Sequence, residues 1–248
     1  MNQARRLWLL LLLCALTGVA SMGVGTTSVG WSQALLDPTL LGLRLPRIIL
    51  SILTGAGLSI SGVALQALLG NTLAEPFVLG VSGGAALGAT IAMLLGVTSY
   101  MAQTTLGCVG ASLALLLVLL LSERYGYEPL TMLLSGVAIN AFCGATMTLL
   151  RVFLPPERSQ QVFYWLTGSL AYPLPASLWA VIGVVGLSLM GLLVYSNTLN
   201  ILSLGSTEAA SLGLPVKHLR RGILIGVGIL VGTLVALVGA IGFVGLVV

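Results

Sequence analysis

Side chains able to do acid–base, nucleophilic or metal chemistry are few in this sequence and widely spaced. Of its 248 residues, 6 are acidic, 10 are basic and only His218 is a histidine. A metal site needs several ligands at matched spacings, and none are spaced to join His218. The cysteines lie inside apolar runs without a CxxC spacing, as is typical of buried small hydrophobic residues. They are Cys14, Cys108 and Cys143.

Motifs of nucleotide-binding and hydrolytic enzymes are also missing. The sequence holds no G-x-x-x-x-G-K-[ST] run, no pair of carboxylates within one apolar segment and no G-x-S-x-G after a strand. We therefore expect no enzyme activity and no cofactor bound by this chain. The net charge of +4 comes from basic residues scattered at the ends of apolar segments. Positive-inside bias explains that pattern better than binding to nucleic acid.

The bulk composition predicts a membrane protein. Hydrophobic residues make up 58% of the chain and charged residues 6%, against roughly 25% charged residues in a soluble domain. Glycine is abundant, with 32 residues, and small residues let helices approach closely in lipid. The sequence therefore predicts an all-α, polytopic transmembrane helical bundle that forms a single domain over residues 1–248.

Seven apolar runs are predicted to span the membrane, each approaching the ~20 residues that a bilayer requires. They are residues 7–24, 47–69, 77–97, 104–121, 130–150, 178–195 and 222–240. The first run could instead be a cleaved signal peptide that ends near Gly18-Val19-Ala20. Pro46 is placed in the first turn of the second span.

The connections set the predicted orientation, with the N-terminus in the cytoplasm. Residues 24–45 are interpreted as an external loop, residues 151–176 as an external loop with an interfacial helix at 161–170, and residues 197–221 as a cytoplasmic coupling loop. Six basic residues then lie inside and four outside, which agrees modestly with the positive-inside rule. The external arginines need an explanation of their own.

Three motifs have fixed spacings. Residues 44–84 combine R-L-P-R, a glycine-rich helix that closes on Gln66, the break N-T-L-A-E-P at 71–76 and the pattern L-G-x-x-x-G. Residues 205–215 read G-S-T-E-A-A-S-L-G-L-P, and residues 240–248 read A-I-G-F-V-G-L-V-V.

Together these motifs resemble the FecCD-type family, the membrane permeases of bacterial ABC importers for iron-siderophores, haem and cobalamin. Thr72 stands where that family usually has proline. The resemblance implies a ten-span fold with an inverted repeat, of which seven to eight spans are present here. The family pattern continues into P-H-x-x-R where this chain stops, so the resemblance implies a C-terminally incomplete permease that is not expected to transport alone.

The resemblance also implies roles for individual residues. The arginines predicted to dock a binding protein are Arg44 and Arg47. The residues predicted to couple to an ATPase are Gly205, Glu208, Ala209, Ala210, Leu212 and Gly213. Of these, Ala209, Ala210 and Gly213 are expected to offer small faces to the partner. The residues predicted to line a pathway or gate are Gln66, Asn71, Leu73, Ala74, Glu75, Pro76 and Asn140.

Each role has a simpler alternative. The two arginines could anchor the second span to lipid phosphates, and residues 71–76 could form an ordinary turn with an Asx cap. Gln66 and Asn140 could join helices by hydrogen bonds. Residues 205–215 could form an ordinary amphipathic loop helix.

By resemblance, the expected function is import of an iron-siderophore, or a related haem or cobalamin complex, across the bacterial inner membrane by alternating access. The implied partners are a second permease copy or paralogue, two cytoplasmic ATPase subunits that hold ATP and Mg²⁺, an extracytoplasmic substrate-binding protein and the lipid bilayer. The alternative is an ion-coupled secondary transporter. That class normally buries acidic or lysine side chains within its spans, whereas all six acidic residues here lie in loops or at span ends.

Overall fold

The computed structural model describes residues 3–23, 38–170 and 175–246. Within these ranges the regular structure consists of α-helices and two 3₁₀ turns, without a strand. The predicted all-α fold is therefore confirmed. The α-helices are α1 (Gln3–Gly23), α2 (Pro38–Leu69), α3 (Val81–Leu94), α4 (Tyr100–Arg124), α5 (Pro129–Arg151), α6 (Pro156–Thr167), α7 (Pro175–Val194), α8 (Ser196–Ser203), α9 (Ser206–Ser211) and α10 (Val216–Val238), and the 3₁₀ turns are Pro76–Leu79 and Val244–Leu246.

The chain divides into two compact units. The first comprises Met1–Ile52 and Leu170–Leu178, and the second comprises Leu53–Ser169 and Trp179–Val248. The described part of the first unit contains α1 and the beginning of α2. The second unit contains the break at residues 71–76, the coupling motif at residues 205–215 and residues 240–246.

Helix α2 begins earlier than predicted. Residues 38–45 are helical rather than part of an external loop, and Pro46 lies inside the helix instead of in its first turn. The rest of the predicted loop, residues 24–37, lies outside the described residues. The leucine-rich sequence before Pro46 favours helix, and proline removes only one backbone donor while distorting the helix locally. Tertiary context has outweighed the usual boundary signal.

Helix α3 is the centre of the second unit and is buried along most of its length. Its backbone touches that of α4. A Cβ atom built on Gly84 would lie 2.5 Å from the carbonyl oxygen of Gly110, and one on Gly88 would lie 2.1 Å from that of Leu106. Only glycine permits so close an approach. The small residues of α3 therefore make the helix contact possible.

The predicted third span is broken. Pro76 opens a 3₁₀ turn, Gly80 follows with φ 78°, and α3 then runs for 14 residues. At 1.5 Å per residue α3 is about 21 Å long, which is shorter than the ~30 Å hydrocarbon core. A proline at the start and a left-handed glycine after one turn prevent a continuous helix over residues 77–97.

Four described helices are long and apolar enough to cross a membrane: Gly42–Leu69, Tyr100–Arg124, Pro129–Arg151 and Val216–Val238. A fifth is counted if Val181–Gly191 and Ser196–Ser203, bent by 64° at their junction, form one span. Trp8–Met22 and Val81–Leu94 are shorter apolar helices. The count of seven to eight spans therefore stays a prediction.

The helices in and after two of the predicted loops have other bounds than expected. A helix does lie in the loop after α5, but it covers Pro156–Thr167 instead of residues 161–170. The coupling loop ends earlier than predicted, because α10 begins at Val216. Its basic residues Lys217, Arg220 and Arg221 therefore belong to the first turns of a long helix.

The α3–α4 contact predicts that glycine-to-alanine substitutions differ in their effect on stability. Gly84→Ala or Gly110→Ala should destabilise the protein by about 1–3 kcal/mol through overpacking, because the new Cβ meets backbone and not a flexible side chain. Gly144→Ala in α5 is the matched control, since no atom lies within 4 Å of the added Cβ, and it should be neutral or stabilising. Thermal melting in detergent measures this. Equal melting temperatures for all three variants would contradict the contact.

Candidate functional site

The break after α2 is an ordered turn. The Asn71 Oδ1 atom accepts a hydrogen bond from the Leu73 amide at 2.9 Å, and the Asn71 carbonyl accepts one from the Ala74 amide at 3.0 Å. The first of these contacts is an Asx turn. Ala74 and Pro76 are buried, whereas the Leu73 side chain is 71% exposed. The side chain of Asn71 therefore organises the turn although threonine replaces the family's proline at position 72.

The turn contacts a segment far along the chain, residues 239–246. The carboxylate of Glu75 accepts a hydrogen bond from the Phe243 amide. The Gln66 side chain donates to the Gly245 carbonyl at 3.3 Å. Phe243 has φ 67°, a conformation that costs a non-glycine residue about 1–2 kcal/mol. The bond from Glu75 satisfies the amide of this unfavourable residue.

Close packing brings the same segment onto α2. A Cβ on Gly62 would lie 2.1 Å from the Gly245 carbonyl oxygen, and one on Gly245 would lie 2.7 Å from Pro76 Cδ. Two of the sequence motifs, the break at 71–76 and the run at 240–246, therefore form one contact region. Sequence reasoning singled out both motifs but did not predict that they touch.

Asn140 joins α5 to the start of the third apolar run. Its side-chain amide donates to the Phe77 carbonyl at 3.5 Å, a long and weak bond. The same carbonyl accepts a 3.1 Å bond from Ser82. A Cβ on Gly83 would lie 2.2 Å from Asn140 Oδ1, so α3 and α5 are in close contact there. Through these contacts Asn140 links α5 to the 3₁₀ turn that precedes α3.

An apolar cavity of about 510 Å³ lies between α2, α7 and α10. Its lining includes Ala64, Val184 and Leu230, with Tyr195 and His218 contributing polar atoms. None of the predicted pathway or gate residues belongs to this lining. In the described part of the chain, no group of three histidine, cysteine or acidic residues could hold a metal ion.

The predicted coupling residues surround α9, a helix of six residues. Glycines with positive φ lie just outside its two ends: Gly205 precedes the helix with φ 132°, and Gly213 follows it with φ 79°. A Cβ on Gly205 would lie 2.2 Å from a carboxylate oxygen of Glu208. Glu208 in the first turn also suits the helix macrodipole.

The two alanines of α9 differ in exposure. Ala210 is exposed, as are Leu212 and Gly213, but Ala209 is 0% exposed and belongs to the hydrophobic core. The prediction that Ala209 offers a small face to a partner is therefore wrong, because its methyl group packs inward. Only its neighbours can meet another protein.

Arg220 is the residue that sequence reasoning missed. Its side chain is buried, and it donates hydrogen bonds to the Tyr127 carbonyl at 3.2 Å and to the Ser206 hydroxyl at 2.7 Å. Tyr127 itself is buried in the turn between α4 and α5. Burial is the main cause that raises the pKa of its phenol, and the negative charge of Glu123 raises this pKa further. The sequence offered no signal that separates Arg220 from its exposed neighbour Arg221.

Arginines predicted to lie outside the membrane are bound to helix ends. In the first unit, Arg44 is half-buried and donates to the Met22 carbonyl, at the end of α1, at 2.5 Å. In the second unit, Arg158 donates to the Met93 carbonyl, at the end of α3, at 3.2 Å. Cations are favourable at helix C-termini. Arg47 is exposed.

Comparison with known proteins gives concordant matches. The sequence model of the FecCD transport family matches residues 7–248. The vitamin B12 import system permease protein BtuC of Salmonella paratyphi A (strain ATCC 9150 / SARB42) is 38% identical over 208 residues, which cover 83% of this chain and 63% of that protein. BtuC of Citrobacter koseri shows the same identity and coverage. The chain thus spans less than two thirds of the length of these relatives.

A solved structure supports the same assignment. It is described as an inward-facing conformation of a metal-chelate type ABC transporter. The two chains are 33% identical and superpose with a TM-score of 0.87, covering 99% of this chain and 79% of that one. From the match over residues 7–248 and these relatives, the chain belongs to the FecCD transport family.

Proposed function

We propose that this chain is the membrane-spanning permease subunit of a binding-protein-dependent ABC importer. The observation that carries the proposal is α9, a short helix set between two left-handed or extended glycines with Ala210, Leu212 and Gly213 exposed. It has the small, accessible surface that a cytoplasmic ATPase needs to seat a coupling helix. Relatives at 38% identity are named as import permeases, which supports this role.

The proposed mechanism is alternating access in the bacterial inner membrane, with the N-terminus in the cytoplasm. Two ATPase subunits, which hold ATP and Mg²⁺, move α9, and a second permease copy or paralogue completes the pathway. Helix α9 contacts α8 and α10, so its movement would pass into the bundle. This chain supplies binding surfaces and moving helices, and its partner subunits supply hydrolysis.

The proposed cargo is a bulky metal chelate: an iron-siderophore, as the resemblance implies, or a haem or cobalamin complex. The name of the BtuC relatives favours vitamin B12, and the solved relative is described as a metal-chelate transporter. An ion-coupled transporter is less well supported. Every glutamate in the chain lies in a turn, at a helix end or in a short helix outside the apolar middles: Glu75, Glu123, Glu128, Glu157 and Glu208.

We also propose gate roles for Gln66, for the turn residues Asn71, Leu73, Ala74, Glu75 and Pro76, and for Asn140. The bonds of Gln66 and Glu75 to the 239–246 segment support this role. They hold two helix breaks together, and such breaks are places where helices can change direction. Releasing these bonds would free both turns at once.

Arg47 and Arg44 are proposed to dock the extracytoplasmic binding protein. Arginine holds a carboxylate with two parallel hydrogen bonds, which lysine cannot do. Arg47 is the better placed of the two because it is exposed, whereas Arg44 is half-buried. Exposed ion pairs contribute about 0–1 kcal/mol each and weaken with salt. They should therefore govern orientation and encounter rate more than affinity.

The first prediction from this proposed function tests the coupling surface. Ala210→Trp or Gly213→Trp in the assembled transporter should reduce ATPase retention and transport at least tenfold, because the bulky ring occupies the partner's contact surface. Ala141→Trp, at an exposed alanine of α5, is the matched control and should leave both unchanged. Co-purification of the ATPase and uptake in proteoliposomes measure the effect. Normal retention and uptake with tryptophan at position 210 would rule out α9 as the docking element.

The second prediction concerns the arginines. The double substitution Arg44→Glu and Arg47→Glu should abolish transport stimulated by the binding protein without loss of membrane insertion. Arg47→Glu alone should give most of the effect, because Arg47 is exposed whereas Arg44 is half-buried. Acid-to-base changes on the binding protein should restore part of the activity. If the double variant transports normally at low salt, the arginines serve as lipid anchors.

The third prediction separates hydrogen bonding from charge at Glu75. Glu75→Gln should retain most transport, since an amide oxygen can still accept the Phe243 N–H, whereas Glu75→Leu should reduce transport at least tenfold. Glu157→Gln, at an exposed glutamate of α6, controls for loss of a negative charge. Transport assays with matched expression levels decide the matter. Equal losses for Gln and Leu at position 75 would show that the charge is required instead.

A further inference from the structure

The buried side chain of Arg220 raises a question that the proposed function does not answer. It is 6% exposed, and the ion pair found among the described residues joins its neighbour Arg221 to Glu123 at 3.9 Å. Removing a guanidinium from water without a carboxylate partner is costly. Both hydrogen-bond acceptors of Arg220 are neutral oxygens, and the carboxylate of Glu128 acts on it without forming an ion pair. A buried charge at this position would be explained by a structural task that an apolar side chain could not perform.

That task is visible in the elements that Arg220 joins. One terminal nitrogen binds the Tyr127 carbonyl in the α4–α5 turn, and the other binds the Ser206 hydroxyl in the first turn of α9. Arg220 itself belongs to α10. Because the guanidinium is a rigid plane, its nitrogens keep a fixed separation. The bonds therefore set the position of α9 relative to both α10 and the α4–α5 turn.

Helix α9 has few other attachments. Of its six residues only Ala209 is buried, and glycines with positive φ lie just outside both ends. A helix of this length is not stable alone, because nucleation is unfavourable. Its placement therefore depends on one inward methyl group, the chain connections and the Arg220–Ser206 bond. The last of these is the bond that resists rotation of α9 about its own axis.

We propose that Arg220 is a positioning residue, a strut that makes α9 move as one body with α10 and the α4–α5 turn. The inference rests on the proposed function in so far as α9 is the element that an ATPase moves. Without the strut, α9 would still present Ala210 and Leu212 to the ATPase. Its displacement would be taken up by the flexible glycines at its ends and would not reach the bundle.

The structural part of this proposal is tested on the full chain in lipid nanodiscs, by hydrogen–deuterium exchange of the amides at positions 208–212. Arg220→Gln should raise their exchange rates at least tenfold. Ser206→Ala, which removes the same bond from an exposed residue, should raise them by a smaller factor and decides the question if Arg220→Gln fails to fold. Arg220→Lys should lie between, since one ammonium group cannot hold both acceptors in the same planar geometry.

Arg221→Gln is the matched control. Arg221 is the next residue of α10 and its side chain is 54% exposed, so its loss should leave exchange in α9 at the wild-type rate. Exchange in α9 that is unchanged in both Arg220→Gln and Ser206→Ala would overturn the strut. The same would follow if Arg221→Gln raised exchange as much as Arg220→Gln did.

The transmission part is tested in the assembled transporter by counting ATP hydrolysed for each substrate imported. Arg220→Gln should retain the ATPase subunits and raise this ratio at least tenfold, with Arg220→Lys restoring part of the coupling. A merely structural role would lower hydrolysis and uptake together, and that result would overturn transmission through Arg220. Failure of the wild-type chain to bind any ATPase would instead refute the proposed function. The exchange measurement would remain valid in that case.

Discussion

Helix α3 can be enclosed by α4, α5 and α10 only because glycines leave its backbone accessible on several sides. Gly84 and Gly110 bring the backbones of α3 and α4 together, and Gly83 leaves room for Asn140 of α5. Gly232 of α10 lies against Val81 and Ala111 in the same manner. In lipid, apolar side chains gain little by leaving their surroundings, so dispersion forces at short distance stabilise the bundle. Every added methyl group on these faces would separate the helices.

Such close packing makes unsatisfied backbone groups costly, because a helix break inside an apolar region has no water to bind. The chain supplies the missing partners from side chains, several of them distant in sequence. Glu75 binds the Phe243 amide, Gln66 the Gly245 carbonyl and Arg158 the Met93 carbonyl. These three polar side chains therefore satisfy backbone groups at helix breaks and helix ends.

The proposed transport mechanism needs regions that can change shape beside regions that cannot. The packing around α3 supplies the rigid part. Several residues with positive φ lie in or beside the turn at 71–76, the 239–246 segment and α9: Gly80, Phe243, Gly205 and Gly213. Others, such as Gly96 and Tyr127, lie in other turns. The positions of the first four agree with the proposal that ATP-driven motion enters through α9 and that the two breaks respond.

The sequence by itself determined the class of this protein. Depletion of charge and abundance of glycine indicated helices in lipid, and three motifs with fixed spacing identified the family. These features are local, so a single chain reveals them. Helix ends were less reliable: Pro46 was expected to start a helix that in fact begins at Pro38. The third apolar run was expected to be continuous although Gly80 breaks it.

Only the tertiary structure decided which of two chemically equivalent neighbours is buried and which is exposed. Ala209 and Ala210 are chemically identical neighbours, and so are Arg220 and Arg221, yet in each pair one is buried and the other exposed. Adjacent residues on a helix point about 100° apart, and α9 is too short to show a periodic pattern. Likewise, nothing local relates Glu75 to Phe243. Which face turns inward is settled by packing between segments distant in sequence, and that information is not present in any one stretch of the chain.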